Sequence, residues 1–350
     1  MSKVMRTWIY SSAKGGLHKN LTLSATATHP RPQSPPGLLK NELLVRVRAA
    51  GLNPIDYRLP EQSYAMARAM IAVPASPATD FAGEVVGLGS TIEFPVKIGD
   101  SVFGRLEPGS FGALGEYVVA KSSGCALVPR GVSLEHASGI GSVGLAAFTS
   151  IVPHVPSKFS PIRSPFRIFI NGGSGGTGTF GIQIAKLLGC YVTTSCSARN
   201  IDLCKSLGAD EVIDYNQGDL VATLKAKGQV FDLVVDNIGS SPEDLYSACG
   251  DFLVPSGQFV QVGASMLVAD IKLMASRMML LSSLDGGPRK FSLVRAKNNH
   301  KDLALLGEWM AAGKIKVVVD ELFEFDDAPR AFEKLRTGRA RGKIIVKGAM

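Results

Sequence analysis

The feature that most constrains the fold is a glycine-rich turn within residues 167–189, between a short apolar run and a segment with helical periodicity. Gly173, Gly175 and Gly178 fit the pattern G-x-G-x-x-G. Glycine suits this turn because the backbone turns tightly and approaches a pyrophosphate, whose charge is met by amide groups at the helix N-terminus. The pattern predicts a dinucleotide-binding strand, turn and helix, and a glycine-rich connection without a ligand is the alternative.

The turn as a whole supplies the first candidate cofactor ligands. Backbone amides and small hydroxyls at a helix N-terminus are the groups that phosphate oxygens accept hydrogen bonds from. The residues are Gly173, Ser174, Gly175, Gly176, Thr177 and Gly178.

The rest of the chain predicts a mixed α/β protein. Short β-like runs with Gly and Pro between them fill roughly the first 130 residues and indicate a small, mostly antiparallel, barrel-like domain. From residue 167 strands and helices alternate, which is typical of a doubly wound parallel sheet. We expect the strand in GQFVQVGA to lie at an edge of that sheet, free or paired across a two-fold axis.

Composition excludes some classes of protein. The formal charge is +8 over 350 residues, but the basic residues are scattered and no basic run with interleaved aromatics points to nucleic acid. No apolar run approaches the roughly 20 residues that cross a bilayer. The five cysteines lack paired close spacing, so we expect no disulfide framework and a cytoplasmic protein. The acid-poor N-terminus, with Glu42 as the first acidic residue, leaves a mitochondrial location as the alternative.

The turn after the second parallel strand bears on the choice of cofactor. An Asp or Glu about 20 residues beyond the glycines would favour NAD, but residues 171–201 contain no acid. The turn instead offers hydroxyls and a guanidinium, which pair well with a 2′-phosphate. NADPH is therefore the predicted cofactor, with an exposed Arg199 at a helix start as the alternative. The candidate ligands are Ser195, Cys196, Ser197, Arg199 and Asn200.

Several motifs recur in the order of a known family. These motifs are NGGSGGTG with GIQIAKLLG, CSARNIDLCKSLGADEVIDY, VVDNIG and GRARGKIIVK, together with AAGLNPIDYRLP, GDSVFG and GALGEYVV. They resemble the medium-chain dehydrogenase/reductase superfamily in its zinc-free quinone oxidoreductase and enoyl reductase branch. The resemblance covers most of the chain. It implies a GroES-like, mostly β catalytic domain over residues 1–132 and 318–350, and a Rossmann domain over residues 133–317.

The resemblance also bears on metal binding. Alcohol dehydrogenases of this superfamily place a Cys where this chain has Asn53, and a His-Glu pair where it has Thr79 and Asp80. Since these ligand types are missing, we expect no zinc site.

The same resemblance implies two residues beside the nicotinamide. A Tyr eleven positions after the Asn of the NPxD motif corresponds to Tyr64, which is the candidate proton donor or substrate orienter. Asn53 is expected to hydrogen-bond near the nicotinamide ribose or the substrate. An amphipathic surface Tyr, with water as the proton source, is the alternative for Tyr64.

Further cofactor contacts follow from the resemblance alone. Arg341 and Lys343 are expected near the pyrophosphate, with solvated charges at a strand end as the alternative. The remaining residues, expected near the adenosine or the carboxamide, are Tyr215, Asn237, Gly239, Val262, Gly263 and Ala264.

Together these features predict an NADPH-dependent, zinc-independent oxidoreductase that transfers hydride to an enone or a quinone. A dedicated trans-acting enoyl reductase or reductive cyclase of a fungal secondary-metabolite pathway is the alternative within enzymes. A non-catalytic, NADPH-regulated binding protein is the alternative from another class. The expected partner is a small-molecule substrate, without nucleic acid, and the protein is expected to be a monomer or a homodimer.

Overall fold

The computed structural model describes residues 4–28, 37–62, 71–107, 112–156, 165–239, 241–242, 245–262, 289–294 and 296–349. The chain divides into two compact units, one of Met1–Leu145 with Lys297–Met350 and one of Ala146–Ala296. The domain limits predicted at residues 132/133 and 317/318 stay a prediction. Tyr64, Gly263 and Ala264 lie outside the described residues.

The strands, in chain order, are β1 (Val4–Ile9), β2 (Thr22–Thr28), β3 (Glu42–Leu52), β4 (Asp80–Leu88), β5 (Ser101–Arg105), β6 (Tyr117–Lys121), β7 (Cys125–Leu127), β8 (Arg167–Asn171), β9 (Tyr191–Cys196), β10 (Glu211–Asp214), β11 (Phe231–Asp236), β12 (Leu253–Gln261), β13 (Lys290–Leu293), β14 (Val319–Phe323) and β15 (Lys343–Lys347). The α-helices are α1 (Leu17–Asn20), α2 (Pro54–Arg58), α3 (Leu134–Ser138), α4 (Gly141–Ile151), α5 (Gly176–Leu187), α6 (Ile201–Ser206), α7 (Leu220–Ala226), α8 (His300–Ala311) and α9 (Ala328–Arg336). No helix within the described ranges is long and apolar enough to span a membrane.

The first unit is built on a sheet of seven strands with β3 at its centre. The strand order is β14-β15-β3-β4-β5-β7, and β6 also pairs with β3. Strand β3 is buried along most of its length and runs antiparallel to β4, β6 and β15. Its pairing with β15 sets Ile344 opposite Leu52. The end of β3 and the start of the last strand therefore meet, although they are far apart in the chain.

The second unit contains a six-stranded parallel sheet in the order β10-β9-β8-β11-β12-β13. Its core includes fully buried aromatic side chains of Phe169, Phe231, Phe252 and Phe259. Strand β8 is followed by β9 on one side, while β11 lies on its other side. In sheets of this kind ligands bind at such a reversal, beyond the carboxyl ends of the strands. The glycine turn leaves β8 at this place.

The structure confirms the mixed α/β class, with a largely antiparallel sheet in one unit and a parallel sheet in the other. The expected position of the GQFVQVGA strand is wrong. Strand β13 pairs with β12 in parallel, setting Phe291 opposite Phe259, so β12 is not an edge strand. The sequence did not reveal β13 because it is only four residues long and lacks a clear alternating pattern.

Candidate functional site

The three glycines of the turn fall into two groups according to the space around them. A Cβ on Gly173 would lie 2.1 Å from the Thr194 hydroxyl oxygen, and one on Gly178 would lie 2.2 Å from the carbonyl oxygen of Gly172. Both positions are therefore closed by packing. A Cβ on Gly175 would meet only the Gly172 oxygen, at an ordinary 3.6 Å. Space thus remains beside Gly175, where a ligand can approach the backbone.

Gly175 also begins helix α5. It is the N-cap residue, no side chain caps the helix there, and the first turn holds no acidic residue. The amide of Thr179 bonds to the Gly175 carbonyl at 2.9 Å, which leaves the earlier amides of the first turn outside the helical pattern. These amides and the helix dipole attract anions. The turn therefore fits the pyrophosphate of a dinucleotide.

A buried hydrogen-bond network supports the turn. The Ser195 hydroxyl donates to Asn171 Oδ1 at 2.6 Å and accepts the Gly172 amide at 3.1 Å. Asn171 Nδ2 in turn donates to Asp236 Oδ1 at 2.9 Å. The network joins the ends of β8, β9 and β11. Sequence reasoning missed Asn171 and Asp236, although a polar residue at the end of each apolar strand was a visible signal.

The turn after β9 holds the residues that the sequence predicts as 2′-phosphate ligands. Ser195 and Cys196 are buried, the Ser195 hydroxyl belongs to the network above, and a hydrogen bond with the Cys204 thiol lowers the pKa of the Cys196 thiol. We therefore drop these two side chains from the predicted phosphate ligands. Ser197 is half-buried and Arg199 is exposed, so both side chains remain candidates.

Asn200 links the two turns. Its side-chain amide donates to the hydroxyls of Ser174, at 3.0 Å, and Ser197, at 3.2 Å. Its Oδ1 is buried without a hydrogen-bond partner. Tyr215, which follows β10, keeps 49% of its surface exposed. Ser174, Ser197 and Asn200 therefore form a polar ledge beside the glycine turn.

The residues after β11 lie next to the same turn. Asn237 donates through Nδ2 to the carbonyl of Asn171 at 3.1 Å, and its own Oδ1 is buried without a partner. The Gly239 amide donates to Asp236 Oδ1 at 3.1 Å, and the Val262 amide donates to the Asp236 carbonyl at 2.8 Å. The structure thus brings Asn237, Gly239 and Val262 to the strand ends that hold the glycine turn.

The first unit holds a second candidate site at the end of β3. Asn53 caps α2 and is 3% exposed. Its side-chain amide donates to Asp80 Oδ2 at 2.9 Å, and its Oδ1 accepts the Lys343 ammonium at 2.6 Å. Because this amide is held at both ends, Asn53 is suited to positioning its neighbours. We therefore no longer expect its side chain to bond the nicotinamide ribose.

Lys343 is not a solvated strand-end charge. It is 2% exposed, donates to the carbonyl of Leu52 at 2.9 Å, and lies 3.6 Å from the fully buried Asp80 carboxylate. Burial lowers its pKa, whereas the Asp80 and Asp56 carboxyls act in the opposite direction. We therefore drop Lys343 from the predicted pyrophosphate ligands. Arg341 is exposed, and its place at the pyrophosphate stays a prediction.

The Asp80 carboxylate accepts several hydrogen bonds in this cluster. It accepts the Ser142 hydroxyl at 2.6 Å and the Ser142 amide at 2.9 Å, besides the amide of Asn53. Among the described residues, no group of three or more His, Cys, Asp or Glu is arranged to hold a metal ion. The Lys343 ammonium places a positive charge beside the Asp80 carboxylate.

Asp56, in the first turn of α2, completes the polar cluster. Its Oδ2 accepts a hydrogen bond of 2.7 Å from the backbone amide of Asn53, and this bond caps the helix. Burial, and next the nearby Asp80 carboxylate, raise the pKa of Asp56 to about 7. The hydrogen bond from the Asn53 backbone amide, the charge of the Lys343 ammonium and the hydrogen bond from the Thr79 hydroxyl oppose this shift. A carboxyl with such a pKa exchanges its proton near neutral pH.

Two family models match the chain. One, described as the alcohol dehydrogenase GroES-like domain, matches residues 39–130, and another, described as zinc-binding dehydrogenase, matches residues 207–346. The trans-enoyl reductase pgmF of Aspergillus terreus is 46% identical, over 98% of this chain and 96% of the relative. The chain belongs to the medium-chain dehydrogenase/reductase superfamily, in its zinc-free quinone oxidoreductase and enoyl reductase branch.

Further relatives agree with this membership. The chloroplastic quinone-oxidoreductase QR1 of Triphysaria versicolor is 33% identical over 99% of both chains. The quinone oxidoreductase structure from Coxiella burnetii superimposes with a TM-score of 0.79 at 27% identity, over 99% of both chains. The predicted GroES-like and Rossmann-type fold is thereby confirmed. As an oxidoreductase of this superfamily, the protein uses a nicotinamide cofactor.

Proposed function

We propose that the protein is an NADPH-dependent, zinc-independent reductase of α,β-unsaturated carbonyl compounds or quinones. The observation that carries the proposal is the open space beside Gly175 at the start of α5, next to a turn without acidic residues. When bound, the dihydronicotinamide supplies the hydride. The residues of the chain bind and orient it and supply or relay the proton.

The choice of NADPH over NADH rests on the turn after β9. Arg199 is exposed there, and the polar ledge of Ser174, Ser197 and Asn200 borders the glycine turn. A guanidinium and hydroxyls favour a 2′-phosphate, whereas the carboxylate that would bond a free 2′-hydroxyl is missing. Tyr215, Asn237, Gly239, Val262 and, by resemblance, Gly263 and Ala264 are proposed to line the rest of the cofactor site.

The proposed acceptor is an enone in preference to a quinone. The trans-enoyl reductase pgmF is 46% identical to this chain, whereas the quinone-oxidoreductase QR1 is 33% identical to it. This similarity favours the second candidate function, a dedicated enoyl reductase of a fungal secondary-metabolite pathway, over a general quinone reductase. Tyr64 or water is the proposed proton source.

Stopped-flow oxidation of NADPH against a panel of enones and quinones tests the proposal. We expect turnover with enones, and mass and stereochemical analysis of the product then separates a dedicated enoyl reductase from a broad one. Tight NADPH binding without turnover for any acceptor would favour the non-catalytic, NADPH-regulated binding protein. The Tyr64→Phe variant should slow enone reduction if Tyr64 donates the proton.

Two further expectations remain proposals. We propose a cytoplasmic location, with the mitochondrion as the alternative, and fractionation of the source cells distinguishes them. We also propose a monomer or homodimer, which light scattering of the purified protein distinguishes.

A further inference from the structure

The Asn200 side chain, in the second unit, has an arrangement that helix capping does not explain. Asn200 is the N-cap residue of α6, yet its side chain makes no capping hydrogen bond. Asparagine is favoured at this position because its oxygen accepts an amide of the first helical turn. Asn200 Oδ1 is instead buried without a hydrogen-bond partner, in a residue that is 5% exposed. Since an unpaired buried acceptor lowers stability, this side chain has another role.

The amide nitrogen of the same side chain indicates that role. Asn200 Nδ2 donates to the hydroxyl oxygen of Ser174, in the glycine turn, and to that of Ser197, in the turn after β9. Each hydroxyl oxygen accepts one of these bonds and keeps its own hydrogen for donation. Across the described ranges, neither hydroxyl makes another hydrogen bond. Asn200 therefore leaves two hydroxyl hydrogens to an acceptor outside the cluster.

The two hydroxyls are spaced for one phosphate group. Their oxygens lie 3.0 and 3.2 Å from the same nitrogen, so they are at most about 6 Å apart. Phosphate oxygens accept hydrogen bonds of about 2.5 to 2.7 Å from hydroxyls, so a phosphate between the two serines can accept one from each. Ser174 and Ser197 are both half-buried, which leaves part of each residue open to a ligand.

The position of the pair favours a 2′-phosphate. In dinucleotide-binding folds, the turn after the second strand contacts the adenosine ribose at its 2′ position, and Ser197 directly follows β9. Helix α5 begins beside Ser174, and its dipole also attracts an anion. Neither turn contains an acidic residue that would repel a phosphate.

We propose that Asn200 is a positioning residue that holds the Ser174 and Ser197 hydroxyls as a pair of donors to the 2′-phosphate of NADPH. The inference rests on the proposed function and names what selects the phosphorylated cofactor within it. Asn200 does not contact the phosphate itself, because both N–H groups of its amide are used and its oxygen is an acceptor. The hydroxyl pair adds to the Arg199 guanidinium, whose long-range attraction is the more sensitive of the two to salt.

Two small nucleotides isolate the effect of the 2′-phosphate. 2′,5′-ADP and 5′-AMP differ only in that group, and calorimetry with the full-length protein gives the ratio of their dissociation constants without nicotinamide or substrate. We expect wild type to bind 2′,5′-ADP about 1,000-fold more tightly, about tenfold for each hydroxyl and for Arg199. Asn200→Leu should lower this ratio about tenfold, and Asn200→Ala, with a smaller side chain, should do the same.

A multiple-mutant comparison shows whether Asn200 acts through the serines. Ser174→Ala together with Ser197→Ala should lower the ratio about 100-fold, and adding Asn200→Leu to this pair should cause no further loss, because no hydroxyl remains to be positioned. Asn20→Leu in the first unit is the matched control. The Asn20 side-chain amide also donates twice, to the carbonyls of Lys14 at 3.0 Å and Gly16 at 2.7 Å, so its loss should leave the ratio unchanged.

Other outcomes separate the failures. A further tenfold loss on adding Asn200→Leu to the serine pair would show that Asn200 contacts the phosphate itself and would overturn the inference. A strong wild-type preference that the Asn200 and serine variants leave unchanged would also overturn it and assign the selectivity to Arg199. A wild-type ratio near one would overturn the choice of NADPH as well. Absence of turnover with any enone or quinone, beside the expected ratios, would overturn only the proposed reaction.

Discussion

The two candidate sites contrast in how each is built. At the glycine turn, backbone amides and an open space beside Gly175 are available to a ligand, and the six consecutive residues 173–178 form the predicted site. At the Asn53 cluster, side chains that are 290 positions apart meet, as Lys343 and Asn53 do, and most of their polar atoms are paired. The first site is therefore encoded locally and is open to a ligand. The second depends on the fold, and its buried charges are paired with each other, as Lys343 is with Asp80.

The strongest test of this difference removes the buried cation. Lys343→Met should lower the free energy of unfolding by about 3 to 5 kcal/mol, because Asp80 would be left as an uncompensated buried charge. Urea unfolding followed by circular dichroism measures the change. Lys347→Met on the same strand is the control, since the Lys347–Glu324 pair is exposed and should contribute less than about 1 kcal/mol.

Adding Asp80→Asn to Lys343→Met should recover part of the lost stability, because the unpaired charge is then removed. Equal losses for Lys343→Met and Lys347→Met would show that the buried cluster is not the more stabilising of the two.

The next test concerns the pH dependence of stability. Asp56 has a pKa of about 7 in the folded protein against an ordinary value of 3.8, so between these values the folded state keeps a proton that the unfolded chain has lost. The free energy of unfolding should therefore fall as the pH rises from about 4 to about 7, by at most about 1.4 kcal/mol per pH unit from this group. Above about pH 7 its contribution is lost.

Urea unfolding of wild type and Asp56→Asn across this pH range isolates the contribution, since the other titrating groups are common to both. A difference between the two proteins that does not change with pH would show that Asp56 is ionised throughout.

The open glycine turn is tested by adding one carbon atom. Gly175→Ala should weaken NADPH binding on the order of 100-fold, about 2.8 kcal/mol, because its Cβ would fill the space proposed for the pyrophosphate. Stability should be unchanged or slightly raised, since the Gly175 backbone suits alanine. Fluorescence titration and thermal unfolding measure the two effects.

Gly178→Ala is the matched variant. Its Cβ would lie 2.2 Å from the Gly172 carbonyl oxygen, so we expect it to lower the unfolding temperature as well as the affinity. If both variants bind NADPH normally, the turn does not contact the phosphates.

The same contrast explains what sequence could predict. The strand, turn and helix around Gly175 follow from local periodicity and glycine spacing, so this motif was predictable from the sequence. The burial of Lys343 was not, because it depends on β15 pairing with β3, which sets Ile344 opposite Leu52. No local pattern around residue 343 contains that information. The charge was therefore interpreted as solvated or as a phosphate ligand.

A second failure has a different cause. Ser195 and Cys196 end an apolar strand in a turn, and residue type alone favoured hydroxyl and thiol groups that face a phosphate. Period-two alternation did not decide which face each takes, because both faces of a parallel strand are buried. The structure turns Ser195 toward Asn171 and Cys196 toward Cys204. Arg199 lies beyond the end of the strand, so the question of which strand face it takes does not arise, and its side chain is exposed.

The smallest expected effect therefore falls on Arg199, at the solvent-exposed rim of the open site. Arg199→Ala should weaken NADPH binding about tenfold and leave NADH binding unchanged, because a guanidinium at the 2′-phosphate acts only on the phosphorylated cofactor. Exposure and salt limit the size of the effect, so it should shrink further at high ionic strength. Lys205→Ala, an exposed change on α6, controls for the loss of a positive charge. Equal losses for both cofactors would place Arg199 at the pyrophosphate and remove the reason for preferring NADPH.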